Sequence, residues 1–275
     1  MRAASGRRAS ARGAARRLIP RRVQRRGQTR CVTGQEATVA DYGIDAQRAV
    51  VRLGLGSLGA GLVMVFGAIA NAPSWLALTA FASCVVLAMA ALVLIWSSRV
   101  GRLRERIRSV DRLELDEDSY VLDAGCGSGM VLVEAARRIP EGLAVGVDHW
   151  RLPSVHVVLR PETPLENAQM EGVDDRVVVA TAGVRRLPFA DGMFDAVSCS
   201  LVLSRLANAN ERLDAVREAA RVLVPGGRLV VFDTAKTRQI AIAMRSVDLV
   251  DVARSRRVWR LVPPARYVTG SKPSA

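Results

Sequence analysis

Histidine is almost missing from the 275 residues: His149 and His156 are the only two, and the cysteines Cys31, Cys84, Cys126 and Cys199 stand far apart with no C-x-x-C pair. A zinc site needs such residues at ligand spacing and a disulfide framework needs them clustered, so no metal is assigned and a reducing compartment is expected. Lysine is as scarce. Of 40 basic residues only Lys236 and Lys272 are lysines, a skew that a GC-rich coding sequence explains better than phosphate recognition, and no specific nucleic-acid partner is expected. Acids are absent from residues 1–30, which hold eleven arginines, so the rest of the chain carries only about +3 of the formal +14. With 50% apolar and 24% charged residues the chain is neither wholly disordered nor fibrous, and a packed domain is expected.

Residues 1–48 read as an Arg-rich, disordered tail whose side chains are available to anionic lipid headgroups at roughly 1 kcal/mol each. The acid-free start also has the composition of an organellar transit peptide. Charge is then missing altogether. Between Arg52 and Arg99 lie 46 consecutive residues without Asp, Glu, Lys, Arg or His. A bilayer core needs roughly 20 apolar residues per helix, and Asn71-Ala72-Pro73-Ser74 divides the run into Leu53–Ala70 and Trp75–Trp96. Residues 49–98 are therefore expected to form a two-helix transmembrane hairpin. Gly56/Ala60 and Ser57/Gly61, each four apart, would let the second helix pack closely on the first. Arginines crowd both outer ends (Arg52; Arg99, Arg102, Arg104, Arg106, Arg108) while the turn has no charge, which places both termini and all that follows on the cytoplasmic side of a cell membrane. Ala70-Asn71-Ala72 has the form of a signal-peptidase site, but a 52-residue leader and the following Pro73 argue against cleavage.

Residues 99–275 have the texture of an α/β domain. Strands are expected at Tyr120–Asp123, Leu143–Asp148, Val177–Ala180, Phe194–Ser198 and Arg228–Asp233, with helices at Val131–Arg138 and Glu211–Leu223, the latter ended by Pro225-Gly226-Gly227. A helix over Thr237–Arg254 and a closing hairpin of Val258–Val262 with Tyr267–Thr269 complete the expectation. The chemistry concentrates at Asp123-Ala124-Gly125-Cys126-Gly127-Ser128-Gly129, where a strand ends and a helix begins. Glycines admit a ligand to the backbone there, and the helix start offers free N–H groups. An acid, Asp148, ends the next strand, where its carboxylate can accept from two vicinal ribose hydroxyls. Nicotinamide binding would want G-x-G-x-x-G; here Gly129 comes one place early and Met130 fills the expected slot. Asp123, directly before the loop, would repel a pyrophosphate and suits an amino-acid moiety instead.

These residues resemble the class I methyltransferases that use S-adenosylmethionine, in a membrane-anchored bacterial subgroup. The likeness runs over Ser119–Pro273. It rests on Val121–Gly129, on Val147-Asp148, on Leu187-Pro188-Phe189-Ala190-Asp191-Gly192-Met193-Phe194-Asp195, and on Glu218–Leu229; Asp148-His149-Trp150, Glu166-Asn167-Ala168 and Glu171-Gly172-Val173 add the subgroup. The resemblance implies a Rossmann-like doubly wound sheet behind the transmembrane hairpin, with S-adenosyl-L-methionine as cofactor. It would place Asp123, Gly125, Cys126, Gly127 and Gly129 at the methionine end, Asp148 and His149 at the ribose, Gly183 and Val184 at the adenine, and Ser200 with Leu201 facing the transferred methyl. It implies a methyltransferase acting on a lipid-like or apolar small molecule. Two departures exist. Gly183 stands where the family has an Asp for the adenine amino group, and Ser204-Arg205 stand where the subgroup has His-Asn. An alternative reading is therefore a weakened or inactive methyltransferase-fold binding or scaffold protein. His149, His156 and Asp233 are the titratable candidates for proton removal from an acceptor, and no catalytic residue is assigned.

Overall fold

A computed structural model describes residues 47–70, 73–150 and 160–274. The N-terminal tail, the Asn71-Ala72 half of the expected turn and the segment holding His156 lie outside the described residues. The chain forms two compact units: the helical pair with Trp259–Pro264, and Arg106–Val258 with the chain from Ala265 onward.

In the first unit, α1 (Gln47–Ile69) and α2 (Ser74–Trp96) pack along each other. Within them Ala49–Gly67 and Ser74–Trp96 are long and apolar enough to cross a membrane. The small residues of α1 work as expected on one face only. Ser57 Oγ donates to the carbonyl of Cys84 at 3.0 Å, and a Cβ added to Gly56 would stand 3.2 Å from Leu87 Cδ1. Gly54 and Gly59 face open space. Leu55, Leu58, Leu62, Phe66, Leu78 and Phe81 are all exposed, forming a broad apolar surface on the pair. A π-helical turn, Ser97–Gly101, links α2 to α3 (Arg102–Asp111).

The second unit is a seven-stranded sheet in the order β3-β2-β1-β4-β5-β7-β6, the doubly wound, Rossmann-like arrangement expected. The strands are β1 (Tyr120–Ala124), β2 (Leu143–Asp148), β3 (Val177–Thr181), β4 (Phe194–Ser200), β5 (Leu223–Asp233), β6 (Val250–Arg254) and β7 (Arg266–Ser271). The β3-β2-β1-β4-β5 pairs are parallel and β7 runs antiparallel to both neighbours. Strands buried on both faces read as apolar runs, and Val121, Leu122, Val145, Val197, Leu229 and Val231 are all fully buried. Helices α4 (Met130–Arg138), α5 (Thr163–Met170), α6 (Ala209–Val222) and α7 (Thr237–Ser246) make the crossovers.

Two motifs hold connections in place. Asp195, at the start of β4, accepts from the Tyr120 amide at 2.8 Å and so aligns β4 with β1. Arg221 on α6 donates to the Leu187 and Phe189 carbonyls and pairs with Glu218 and Asp191, while the Leu187 amide donates to Glu218, which fastens the Leu187–Asp191 turn to the helix. The guanidinium of Arg221 beside Glu218 holds that carboxyl below its ordinary range. On the opposite side, buried Arg106 lies 3.2 Å from Glu134 of α4 and 3.1 Å from Glu171.

The C-terminal expectation is corrected. The helix from Thr237 ends at Ser246, and the partner of β7 is Val250–Arg254, whereas Val258 makes only an isolated bridge to Ala265. The stop is a Schellman motif: Leu249 N–H donates to the Met244 carbonyl and Asp248 N–H to that of Arg245, with Asp248 at φ 60°. An aspartate takes the left-handed position usually marked by glycine, so the helix end carries no sequence flag. A register shift between Val250 and Ala253, with Asp251 at φ 52°, breaks the alternation that would have revealed β6.

Candidate functional site

The strand order reverses between β1 and β4, and ligands of open parallel sheets sit outside the carboxyl ends of the strands at such a point. The ends of β1, β2, β3 and β4 bring there Gly125–Gly129, Asp148, Gly183 and Ser200, residues that the chain holds far apart.

The loop after β1 is a tight hook. Gly125 and Cys126 both donate to the Val147 carbonyl, at 2.7 and 3.1 Å, and the Gly129 amide turns back onto the Cys126 carbonyl at 2.8 Å. Gly125 lies at φ 85° and a Cβ there would overlap the side chain of Val202. Gly129, at φ 83°, is capped by Pro164, which a Cβ would approach to 2.6 Å. These positions require glycine for both conformation and space. Asn167 donates to the Ser128 carbonyl at 2.9 Å and pins the outer side of the hook.

Asp148 knits the loop to β2. Its Oδ2 accepts from the Gly127 amide at 3.0 Å and its Oδ1 from the Trp150 amide at 2.9 Å. His149 Nδ1 stands 3.2 Å from the same Oδ1, but its ring is largely exposed. An ionised carboxylate has about four acceptor sites, so two backbone donors leave capacity for further hydroxyls. Trp150, at φ 57°, donates from Nε1 to Thr181 Oγ1 at 2.9 Å.

Asp123 sits beneath the hook and is 2% exposed. Its Oδ1 has no hydrogen-bond partner among the described residues. Burial pushes the carboxyl from 3.8 up to about 7; the Ser198 hydroxyl and the Leu132 amide draw it down, and the charge of Asp148 raises it further. A buried acceptor without a donor costs roughly 1–3 kcal/mol, and a cationic or N–H-bearing ligand group would relieve that cost. Burial also pushes the Cys126 and Cys199 thiols up, so neither is a ready nucleophile.

Gly183 is exposed, with nothing within 4 Å of a Cβ placed on it, and half-buried Val184 follows in a turn closed by the Arg186 amide on the Gly183 carbonyl. Ser200 is half-buried at the end of β4, where Leu201 takes φ 57° and donates to the Phe232 carbonyl. Asp233 is different. It is fully buried, and its two oxygens accept from the Ser204 and Thr234 amides, both at 2.8 Å. It braces the chain after β4, and its burial sets it apart from the partly exposed strand-end residues.

Three residues of this site carry no signal in the sequence: Ser198, Val202 and Pro164. Each acts by standing over a residue from another strand or loop. Asn167 and Trp150 were visible only as members of resembling motifs.

Residues 122–231 match the family model described as "Methyltransferase domain". The chain is 36% identical over 132 residues to a 27-O-demethylrifamycin SV methyltransferase of Amycolatopsis mediterranei, covering 48% of this chain and 44% of that protein. It is 28% identical over 144 residues to a sterol 4-C-methyltransferase of Caenorhabditis elegans, covering 50% and 39%. A demethylmenaquinone methyltransferase of Roseiflexus sp. is 35% identical over 118 residues, 42% of this chain and 43% of that one. The chain thus spans less than half the length of these relatives. Among solved structures, a geranyl diphosphate methyltransferase in complex with S-adenosylmethionine superposes with a TM-score of 0.52 at 17% identity, covering 67% of this chain and 90% of that one. The [4+2]-cyclase SpnF gives 0.54 at 20% identity, covering 65% and 83%.

Proposed function

We propose that the chain, whose residues 122–231 carry the methyltransferase-domain match, is a class I S-adenosylmethionine-dependent methyltransferase, anchored in the membrane and methylating an apolar or lipid-like small molecule. The observation that carries the donor half is the pairing of Asp148 with buried Asp123 around one glycine hook. Asp123 Oδ1, unpartnered among the described residues, fits the amino group of a methionine moiety, and Asp148 retains acceptor capacity for ribose hydroxyls. Gly125, Cys126, Gly127 and Gly129 would line the methionine end, His149 the ribose, Gly183 and Val184 the adenine ring, and Ser200 the transferred methyl. The bound donor supplies an activated methyl on a sulfonium. Methyl transfer is an in-line displacement in which positioning supplies much of the rate, and the residues of this chain bind, orient and exclude water rather than form a covalent intermediate.

The acceptor class is argued from the anchor and from relatives. A sterol and a menaquinone precursor appear in the names of two of them, and both are apolar. Two spanning helices would hold the domain where such acceptors dissolve. Residues 49–98 are assigned as the hairpin, 99–275 as the catalytic part and 1–48 as a basic tail, with both termini cytoplasmic; the arginines flanking α1 and α2 support that orientation.

The test is calorimetry of the detergent-solubilised full chain with S-adenosylmethionine and its demethylated product, followed by transfer of labelled methyl to a membrane extract. Micromolar donor binding with label entering an extractable apolar product supports the reading. Donor binding without transfer to any lipid fraction leaves the scaffold alternative, which the open, side-chain-free Gly183 favours. No binding of either compound removes both the donor and the enzyme.

A further inference from the structure

Trp259–Pro264 leaves the sheet domain and belongs to the compact unit of the helical pair. It is fixed at the arginine-flanked end of α2, where the Val262 amide donates to Ser97 Oγ at 2.9 Å and a Cβ on Gly101 would meet the Arg260 carbonyl oxygen at 2.5 Å. Ser97 and Leu261 are buried in this joint, whereas Trp259 is 70% exposed and Val262 45%. Trp96, the last residue of α2, is also exposed, and so is Arg260. The segment follows Arg254, Arg256 and Arg257, all exposed, and residues 252–275 contain six basic residues and no acid.

An indole turned outward beside arginines is costly in water and favourable at the headgroup level of a bilayer, where tryptophan is enriched and cations meet lipid phosphates. We propose that Trp259–Pro264, with the arginines leading into it, is a docking surface for anionic phospholipid at the cytoplasmic face of the membrane. Trp259 and Val262 enter the interface and Arg260 engages lipid phosphate. Seated next to Ser97, the segment lies one residue beyond the end of α2, the depth at which a spanning helix emerges. Trp96 and Trp259 would then form the aromatic belt of that interface, with Trp75, exposed at the start of α2, on the other side. The inference rests on the reading that α1 and α2 span the membrane.

The test reconstitutes the full chain into phosphatidylcholine vesicles with and without phosphatidylglycerol, with brominated acyl chains as quenchers. The emission of wild type minus that of Trp259→Phe isolates Trp259. Quenching of that component in the anionic vesicles is expected, and Arg260→Gln should lower the ratio of docked to undocked loop by about fivefold. Unchanged affinity of Trp259→Phe for S-adenosylmethionine checks that the variant is folded. Protein that resists carbonate extraction while Trp259 stays unquenched, or is quenched equally without anionic lipid, overturns the proposal and leaves the spanning reading intact. Protein that carbonate removes overturns both.

Discussion

Asp123 is the carboxyl that burial pushes up toward neutral pH, and it gives the clearest pH signature. Burial pushes its carboxyl from the ordinary 3.8 up to about 7 in the folded chain. The folded state therefore binds this proton more tightly, so the stabilising contribution is complete below about pH 4 and is lost as pH rises to about 7. Asp123→Asn should flatten that part of the stability curve, measured by thermal melts of the solubilised chain between about pH 4 and pH 8. Donor affinity should run the other way in wild type, rising as the carboxylate ionises through about pH 7, because the anion is what attracts an ammonium group. Asp148→Ala should weaken S-adenosylmethionine binding about ten- to hundredfold by calorimetry, the equivalent of losing one charge-assisted hydrogen bond. The glycines and Asp148 were legible in the sequence because a strand-end hook has a fixed pattern. The state of Asp123 was not, since its burial and its hydrogen bond with Ser198 depend on segments distant in the chain.

At the scale of elements, α1 offers an internal control. Gly56 faces Leu87 and Gly59 faces open space. Gly56→Ile should lower the melting temperature in detergent, whereas Gly59→Ile should leave it nearly unchanged; equal effects would show that α1 packs on another face. Lys272, one of the two lysines, donates to the Ala220 and Leu223 carbonyls at 2.9 and 2.7 Å, capping the end of α6. Lys272→Met should cost about 1.5–3 kcal/mol, since hydrogen bonds to a charged group are lost and the negative end of the helix is uncovered, and chemical denaturation would read it. Leu143–Asp148 was readable to the residue, whereas β5 starts at Leu223, five residues before the expected Arg228, because Pro225-Gly226-Gly227 lies within the strand. The α7–β6 boundary was not readable, because a left-handed aspartate and a bulge do the work that glycine and strict alternation would have announced.

For the whole molecule the testable statement is topology. On the proposed orientation, with both termini cytoplasmic, a cysteine introduced as Ser74→Cys at the start of α2 should react with a membrane-impermeant maleimide in intact cells. A cysteine introduced as Ser274→Cys should react only after lysis, and the reverse pattern would invert the orientation. What the chain's own order of residues determined is what local pattern can carry: an uncharged run long enough for two spans, a parallel-sheet rhythm, and a glycine hook followed by an acid one strand later. What only tertiary structure decided is which of those residues meet. It put Val202 over Gly125, left a carboxylate oxygen of Asp123 without a donor among the described residues, engaged both oxygens of Asp233 in bracing, and carried Trp259 to the foot of α2. Periodicity reports the environment of a residue relative to its neighbours in sequence, while desolvation and contact depend on segments that approach only when the sheet closes.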